Sequence, residues 1–384
     1  MLRTFGTFLL LGLRGFGGPA AHLALFRAHF VEKRKLLTAE EWGEVLSICQ
    51  FLPGPTSSQV GILLGRRMAG NAGAFAAWLG FTLPAALLMT ALAWAGRTWP
   101  RTFLDAHWTT GLRAGAMAVV LQAVLAMAGN FWKGRLLASV GVGAAVLSLV
   151  FPAAWGHIPL LLLCALAGSR SLPSPLESAP SASRARDPWK RHLFALVVLF
   201  AALPLAASWM GSPAWRCLWT FVKAGGLVFG GGHVVLPLLQ SSFVPEGWVS
   251  AREFLDGYGL AQAMPGPLFS IACWLGALAT PFPGIWAGSL LGLAAIYLPS
   301  VPLLGLSLRA WSWVRARSWA RGAVAGICAG STGILAAALW PLGRECASSP
   351  LGAGLALVGA VALWRKAPAW SVPLGCALVA AIAG

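Results

Sequence analysis

Two Pro-Gly-Pro tripeptides, Pro53-Gly54-Pro55 and Pro265-Gly266-Pro267, are each followed by hydroxyl side chains: Thr56, Ser57 and Ser58 after the first, Ser270 after the second. The second proline of each suits the first position of a helix, where its missing N–H costs nothing. The next N–H groups, at Thr56 and Ser57 or at Leu268 and Phe269, then have no acceptor within the helix. Bare amides at the positive end of a helix dipole bind anions. The chemistry implied is recognition of a small oxyanion by backbone donors.

Other polar residues keep company with these breaks. Gly17-Gly18 before Pro19, and Gly230-Gly231-Gly232, mark places where the chain bends or another backbone comes close. His22 and His233 follow them and can donate to an anion or carry a proton; packing residues are the alternative. Gln50 and Gln262 each stand three residues before a Pro-Gly-Pro, and a buried amide in a membrane segment points to function or helix bridging. Arg14 and Lys223 lie in apolar runs before the glycine motifs, as countercharges or as side chains snorkelling to the interface.

The elements that position these residues are duplicated. Phe16-Gly17-Gly18 recurs as Phe229-Gly230-Gly231, and Gln50 with its Pro-Gly-Pro recurs at Gln262. Phe30-Val31, Ala39 and Glu41 recur between them as Phe243-Val244, Ala251 and Glu253. The chain is 58% hydrophobic and 10% charged, with mean hydropathy +0.74, against about 25% charged in soluble proteins. Stretches such as Ala72–Gly96, Gly115–Gly129, Leu136–Leu166 and Gly322–Leu342 are long enough, or nearly so, to cross a bilayer. The expectation is an all-α polytopic membrane protein of roughly ten to twelve membrane segments in two homologous halves.

A net charge of +17 does not signal nucleic acid here. The cations fall in short runs between apolar segments, such as Lys33-Arg34-Lys35, Arg66-Arg67 and Arg365-Lys366, as in cytoplasmic loops. The loop after the first glycine motif is rich in Lys and Arg, whereas its counterpart Gln240–Asp256 has only Arg252. That bias favours inverted repeats over a parallel duplication. The basic runs also bracket Val45–Gly65, which predicts a re-entrant pair of half-helices with Pro53-Gly54-Pro55 at the turn and arms of about nine residues, roughly 13 Å each. A kinked span is the alternative. The tryptophans, among them Trp94, Trp99, Trp132, Trp311 and Trp313, are expected in interfacial belts.

The domains expected are an N-terminal repeat over residues 1–168, a basic cytoplasmic linker over 169–191 and a C-terminal repeat over 192–384. Ser, Pro and Ala dominate Ser169–Asp187, a composition that builds no packed core. The seven cysteines show no CxxC and no paired spacing, so neither a metal site nor a disulfide framework is indicated. No Walker A, GxGxxG or HExxH motif occurs, and no cofactor is expected. The short apolar stretch Phe8–Leu13 runs into the first glycine motif and is read as part of the mature fold.

The segment Phe16-Gly-Gly-Pro-Ala-Ala-His22, with Phe30-Val31, Cys49-Gln-Phe-Leu-Pro-Gly-Pro55, Ser57-Ser-Gln-Val-Gly61 and Leu83-Pro84, resembles the chromate ion transporter (CHR) family. So does Phe229-Gly-Gly-Gly-His-Val-Val-Leu-Pro-Leu-Leu239, with Gly247-Trp-Val-Ser250, Gly257-Tyr258, Gln262 and Pro265-Gly-Pro-Leu-Phe269. The likeness covers both halves, as in the long, two-domain form. One departure is Leu36, where the first repeat of the family usually has Trp after a basic run, as Trp248 keeps in the second. The resemblance implies a multi-pass protein of the bacterial inner membrane that exports chromate and confers resistance to it. Sulfate or another tetrahedral oxyanion is an alternative substrate, and a homodimer is compatible with the reading. A membrane-embedded lipid-modifying enzyme is the competing class, but only eleven acidic residues are available to it. A non-transporting scaffold would leave the matched breaks unexplained.

Overall fold

The computed structural model describes residues 1–98, 107–151, 157–171 and 189–383. Among them the secondary structure is helical, with no strand. The first half contains α1 (Leu2–Arg14), α2 (Gly18–Arg27), α3 (Ala39–Phe51), α4 (Thr56–Thr98), α5 (His107–Phe131), α6 (Gly134–Val150) and α7 (His157–Gly168). Next come α8 (Trp189–Val197), α9 (Leu203–Trp209), α10 (Pro213–Leu227) and α11 (Val235–Phe243). The second hairpin is α12 (Ala251–Ala263) and α13 (Ile271–Leu278), followed by α14 (Ile285–Tyr297) and α15 (Ser300–Arg315). The chain closes with α16 (Ser318–Ala337), α17 (Leu339–Ala347), α18 (Pro350–Trp364) and α19 (Ser371–Ala383).

Five helices are long and apolar enough to cross a bilayer by length and composition, and five shorter helices are similarly apolar. Large apolar side chains such as Leu125, Leu163, Leu290 and Leu357 are exposed on their outer faces, which suits hydrocarbon rather than water. The stretch Leu136–Leu166, read from sequence as one apolar run, divides into α6 and α7. The sequence supplies the reason, Pro152, which has no N–H to continue the helix. Most of the expected linker, residues 172–188, lies outside the described residues; α8 begins at Trp189.

Each Pro-Gly-Pro forms the tip of a helical hairpin. In the first, α3 begins with a capping box in which Thr38 and Glu41 bond each other's backbone amides, and Ser250 and Glu253 do the same for α12. Glu41, in the first turn of α3, forms an ion pair with Arg67, in the returning arm. The start of the first arm and the end of the second therefore lie together. That is the hairpin a re-entrant pair requires, and each arm is longer than the expected nine residues: α3 starts at Ala39, and the returning arm runs to the break at Ala69 and Gly70. In the second hairpin, Trp274 Nε1 of α13 donates to the Glu253 carbonyl of α12 at 2.8 Å.

Helix α4 is not continuous: Ala69 and Gly70 leave helical geometry, and Gly65 packs against Gly73 across the turn. The stretch after the turn, residues 71–98, is about 42 Å long at 1.5 Å per residue. It serves as a ruler for the fold. The mouth of the first hairpin is at its beginning, through Arg67. A Cβ placed on Gly266, the tip of the second hairpin, would lie 2.7 Å from Ala85 Cβ, half-way along. At its far end, Arg97 Nη2 donates to the carbonyl of Leu278, where α13 ends, at 2.6 Å. The two hairpins enter from opposite ends and their tips meet in the middle, as inverted repeats require.

The halves are also interleaved. Helix α5 of the first half packs on α18 and α19, while α16 of the second half packs on α6 and α7. Glycines make both contacts close: Gly111 and Gly115 lie against Cys376 and Pro373, and Gly322 and Gly326 lie against Gly168 and Cys164. Trp132 is half-buried. Its indole packs on Gly141 and its N–H donates to the Ala329 carbonyl at 3.1 Å, joining the α5–α6 turn to α16. Trp311 is buried, whereas Trp94 and Trp313 are exposed; Trp99 lies outside the described residues.

Candidate functional site

The tips of the hairpins are held by two hydrogen bonds that mirror each other. Gly54 N–H donates to the carbonyl of Val228 at 2.7 Å, and Gly266 N–H donates to the carbonyl of Gly15 at 2.8 Å. Gly15 and Val228 occupy the same place in the two repeats, immediately before Phe16 and Phe229. Each half therefore fixes its break on the bend of the other. Both tip glycines are buried, with φ of 118° and 110°, a region that side chains with a Cβ enter only at a cost of about 1–2 kcal/mol.

Four helix beginnings converge here. Pro55 leads into α4, and Gln59 N–H makes the first intrahelical bond, to the Pro55 carbonyl at 2.9 Å. The N–H groups of Thr56, Ser57 and Ser58 precede that bond and have no acceptor behind them in the helix. Pro267 leads into the 3₁₀ turn Leu268–Ser270 in the same way, with the Ser270 N–H returning to Pro267 at 3.0 Å. The other two beginnings are Gly18-Pro19 at α2 and Gly232 before α11. Pro19 Cγ and Leu268 Cδ2 come within 3.4 and 4.0 Å of where a Gly232 Cβ would stand. A Cβ on Gly18 would meet nothing nearer than His233 Nε2 at 4.0 Å, so the facing glycine motifs leave room between them. The sum is a partly buried site of positive potential made from backbone.

The side chains do not repeat as the backbone does. His22 is fully buried; its Nε2 donates to the Gly15 carbonyl at 2.9 Å, which leaves Nδ1 facing the Ser57 hydroxyl at 3.4 Å. In the second half Gln262 Nε2 donates to His233 Nδ1 at 3.0 Å and to Tyr258 Oη at 2.7 Å. His233 then carries its proton on Nε2, the atom that faces Gly18. Ser57, Ser58 and Ser270 are all buried at the helix starts, and Ser58 Oγ lies 3.1 Å from Tyr297 Oη. Gln50 does not join them. It is exposed on the outer side of α3, so the register that buries Gln262 is matched in sequence but not in environment. Arg14 is exposed too, whereas Lys223 is buried between α10 and α11, its Nζ 3.5 Å from Ser242 Oγ, about a turn before the second bend.

Several residues of the site escaped the sequence reading. Gln59 is fully buried, and its amide donates to the Pro53 carbonyl at 2.7 Å beside Gly54. Ser300 Oγ lies next to the same glycine. Tyr258 and Tyr297 are the only tyrosines in the chain, and both are buried at the central hydrogen bonds. Their rarity in an apolar sequence was the available signal. No group of three metal-ligating side chains occurs among the described residues.

The family model described as chromate transporter matches residues 2–169 and 215–384, which include both hairpins and both glycine bends. The chain belongs to the chromate transporter family. It is 28% identical over 387 residues to a probable chromate transport protein of Synechococcus elongatus, covering 98% of this chain and 93% of the relative. Chromate transport proteins of Pseudomonas aeruginosa and Cupriavidus metallidurans are 26% and 29% identical, over 72% and 76% of this chain and 66% and 70% of their own lengths. No solved structure matches the chain. The chain is thus a multi-pass membrane protein of a transporter family whose substrate is an oxyanion, and in this family member residues of both halves meet at the hairpin tips.

Proposed function

We propose that this family member is a secondary transporter that exports chromate across the cytoplasmic membrane and thereby confers resistance. The observation that carries the reading is the meeting of four helix beginnings at two reciprocally bonded breaks. A tetrahedral dianion can accept hydrogen bonds from several directions at once, and that is what converging amides, serine hydroxyls and the His233 Nε2–H offer. No carboxylate is among the central residues described above, so nothing there repels it.

Export needs no nucleotide. A dianion leaving an inside-negative cell gains about 2.3 kcal/mol per charge for each 100 mV, or roughly 4.6 kcal/mol. At ~1.4 kcal/mol per tenfold, that sustains a gradient above a thousandfold. Exchange or uniport is physically sufficient. The arrangement of mirrored hairpins around one site suits alternating access, with one hairpin mouth on each side.

Everted vesicles from cells producing the protein test this. Labelled chromate is expected to accumulate above an empty-vector control, with unlabelled sulfate competing to the extent that the site reads charge and shape alone. Accumulation of neither anion overturns the reading.

A further inference from the structure

At the mouth of the second hairpin, away from the glycine bends, a cavity of about 250 Å³ is lined by Thr110, Arg113, Arg252, Glu345, Cys346, Ser348 and Ser349. Its charges are unevenly held. Arg113 Nε and Nη2 grip Asp256 at 2.7 and 3.2 Å, in a bidentate pair whose side chains are 10% and 7% exposed. Thr109 Oγ1 accepts a further bond from Nη2 at 3.2 Å. Asp256 therefore fixes the plane of the guanidinium. Glu345 is held differently: a single oxygen, Oε1, faces Arg113 Nη1 at 3.3 Å and Arg252 Nε at 3.5 Å. Both distances exceed the 2.7–2.9 Å usual for a charge-assisted bond. One loosely held carboxylate thus covers two guanidinium groups. The N-terminus of α18, with Ser349 as its cap, opens on the same cavity and adds a positive dipole end.

We propose that this cavity is a second oxyanion site, a vestibule in which a tetrahedral dianion displaces Glu345 from Arg113 and Arg252 on its way between the central site and the outside of the hairpin mouth. Glu345 acts as a tethered competitor: with Asp256 it neutralises the two arginines when the vestibule is empty, and it yields to a ligand of higher charge. Asp256 stays in place and keeps Arg113 aimed. The inference rests on the oxyanion-transport reading but concerns a different place. Arg252 and Gln262 are ten residues apart on α12, or about 15 Å.

Cys346 lines the same cavity, so every variant below also carries Cys346→Ala; the other native cysteines are buried, whereas Ser348 is exposed at the cavity. In purified full-length Ser348→Cys protein, modification by N-ethylmaleimide, mapped by mass spectrometry, is expected to be slowed saturably by sulfate and not by chloride at equal ionic strength. Adding Glu345→Gln should lower the half-protecting sulfate concentration several-fold, and Arg252→Gln should raise it several-fold. Protection no better than chloride's, or a concentration dependence unmoved by Glu345→Gln, overturns the vestibule. Intact chromate uptake with no protection sinks the vestibule alone; protection without uptake sinks the transport reading alone.

Discussion

Gly266 N–H donates to the Gly15 carbonyl at 2.8 Å, and that same carbonyl accepts from His22 Nε2 at 2.9 Å. One backbone oxygen of the first bend thus holds both the tip of the opposite hairpin and the histidine beside its own. The twin bond, Gly54 N–H to the Val228 carbonyl, has no such histidine. The two breaks are equivalent as backbone and unequal as chemistry.

Replacing either tip glycine should therefore abolish transport. A Cβ on Gly266 would meet Ala85 Cβ at 2.7 Å, and one on Gly54 would meet Gln59 Nε2 at 2.5 Å; the positive φ adds strain of about 1–3 kcal/mol. Gly54→Val and Gly266→Val are expected to insert in the membrane but to lose more than tenfold of vesicle chromate uptake. Wild-type uptake by both would remove the tips from the mechanism.

The unequal environments of the glutamines make a sharper test. Gln262→Ala strips a donor from His233 and from Tyr258, leaving them only their mutual contact at 3.1 Å to hold the His233 ring, and uptake should fall tenfold or more. Gln50→Ala, on an exposed face, should stay within twofold of wild type. Equal losses in the two variants would contradict the placement of Gln50.

Labelling can read the hairpin mouths directly. Cysteines introduced at Glu44 and Arg67 are expected to react with an impermeant maleimide from one side of the membrane, and a cysteine at Arg252 from the other. Labelling of Glu44→Cys and Arg67→Cys from opposite sides would mean a kinked span instead of a hairpin.

Because α5 is covered by α18 and α19, and α6 and α7 by α16, neither half covers its own faces. Residues 1–180 and 181–384 produced as separate chains are expected to restore uptake together, and each alone should be degraded or inactive. Activity of one half by itself would show that the interleaving is dispensable.

Removing one partner of a buried ion pair costs about 3–5 kcal/mol. Asp256→Ala, which leaves Arg113 only its longer contacts with Glu345 and Thr109, should therefore lower the thermal midpoint in detergent by several degrees. Glu246→Ala breaks only the half-exposed contact with Arg216 and should change it little. Matching shifts would deny the Arg113–Asp256 pair its structural weight.

Much of this architecture was legible in the residues. Membrane embedding follows from composition, because too few charges remain to cover a water-facing surface. The duplication and the hairpin tips follow from Pro-Gly-Pro, whose geometry is local: proline lacks a donor and glycine takes positive φ whatever surrounds them. The arms of the first hairpin are longer than the basic runs suggest, because the capping pair Thr38 and Glu41 starts the first and the break at Ala69 and Gly70 ends the second.

What lies far apart in the chain was decided by the tertiary structure alone. Nothing in the residues around Gly54 says that its amide meets Val228, or that α5 packs on helices from the other half. Gln50 and Gln262 hold the same place in the repeat, yet one faces outward and the other joins Tyr258 and His233. Local sequence sets where the backbone must break, because φ preferences and missing donors act within a few residues. Which side chains then gather at the breaks depends on how two unequal halves close on each other, and that is a property of the packed molecule.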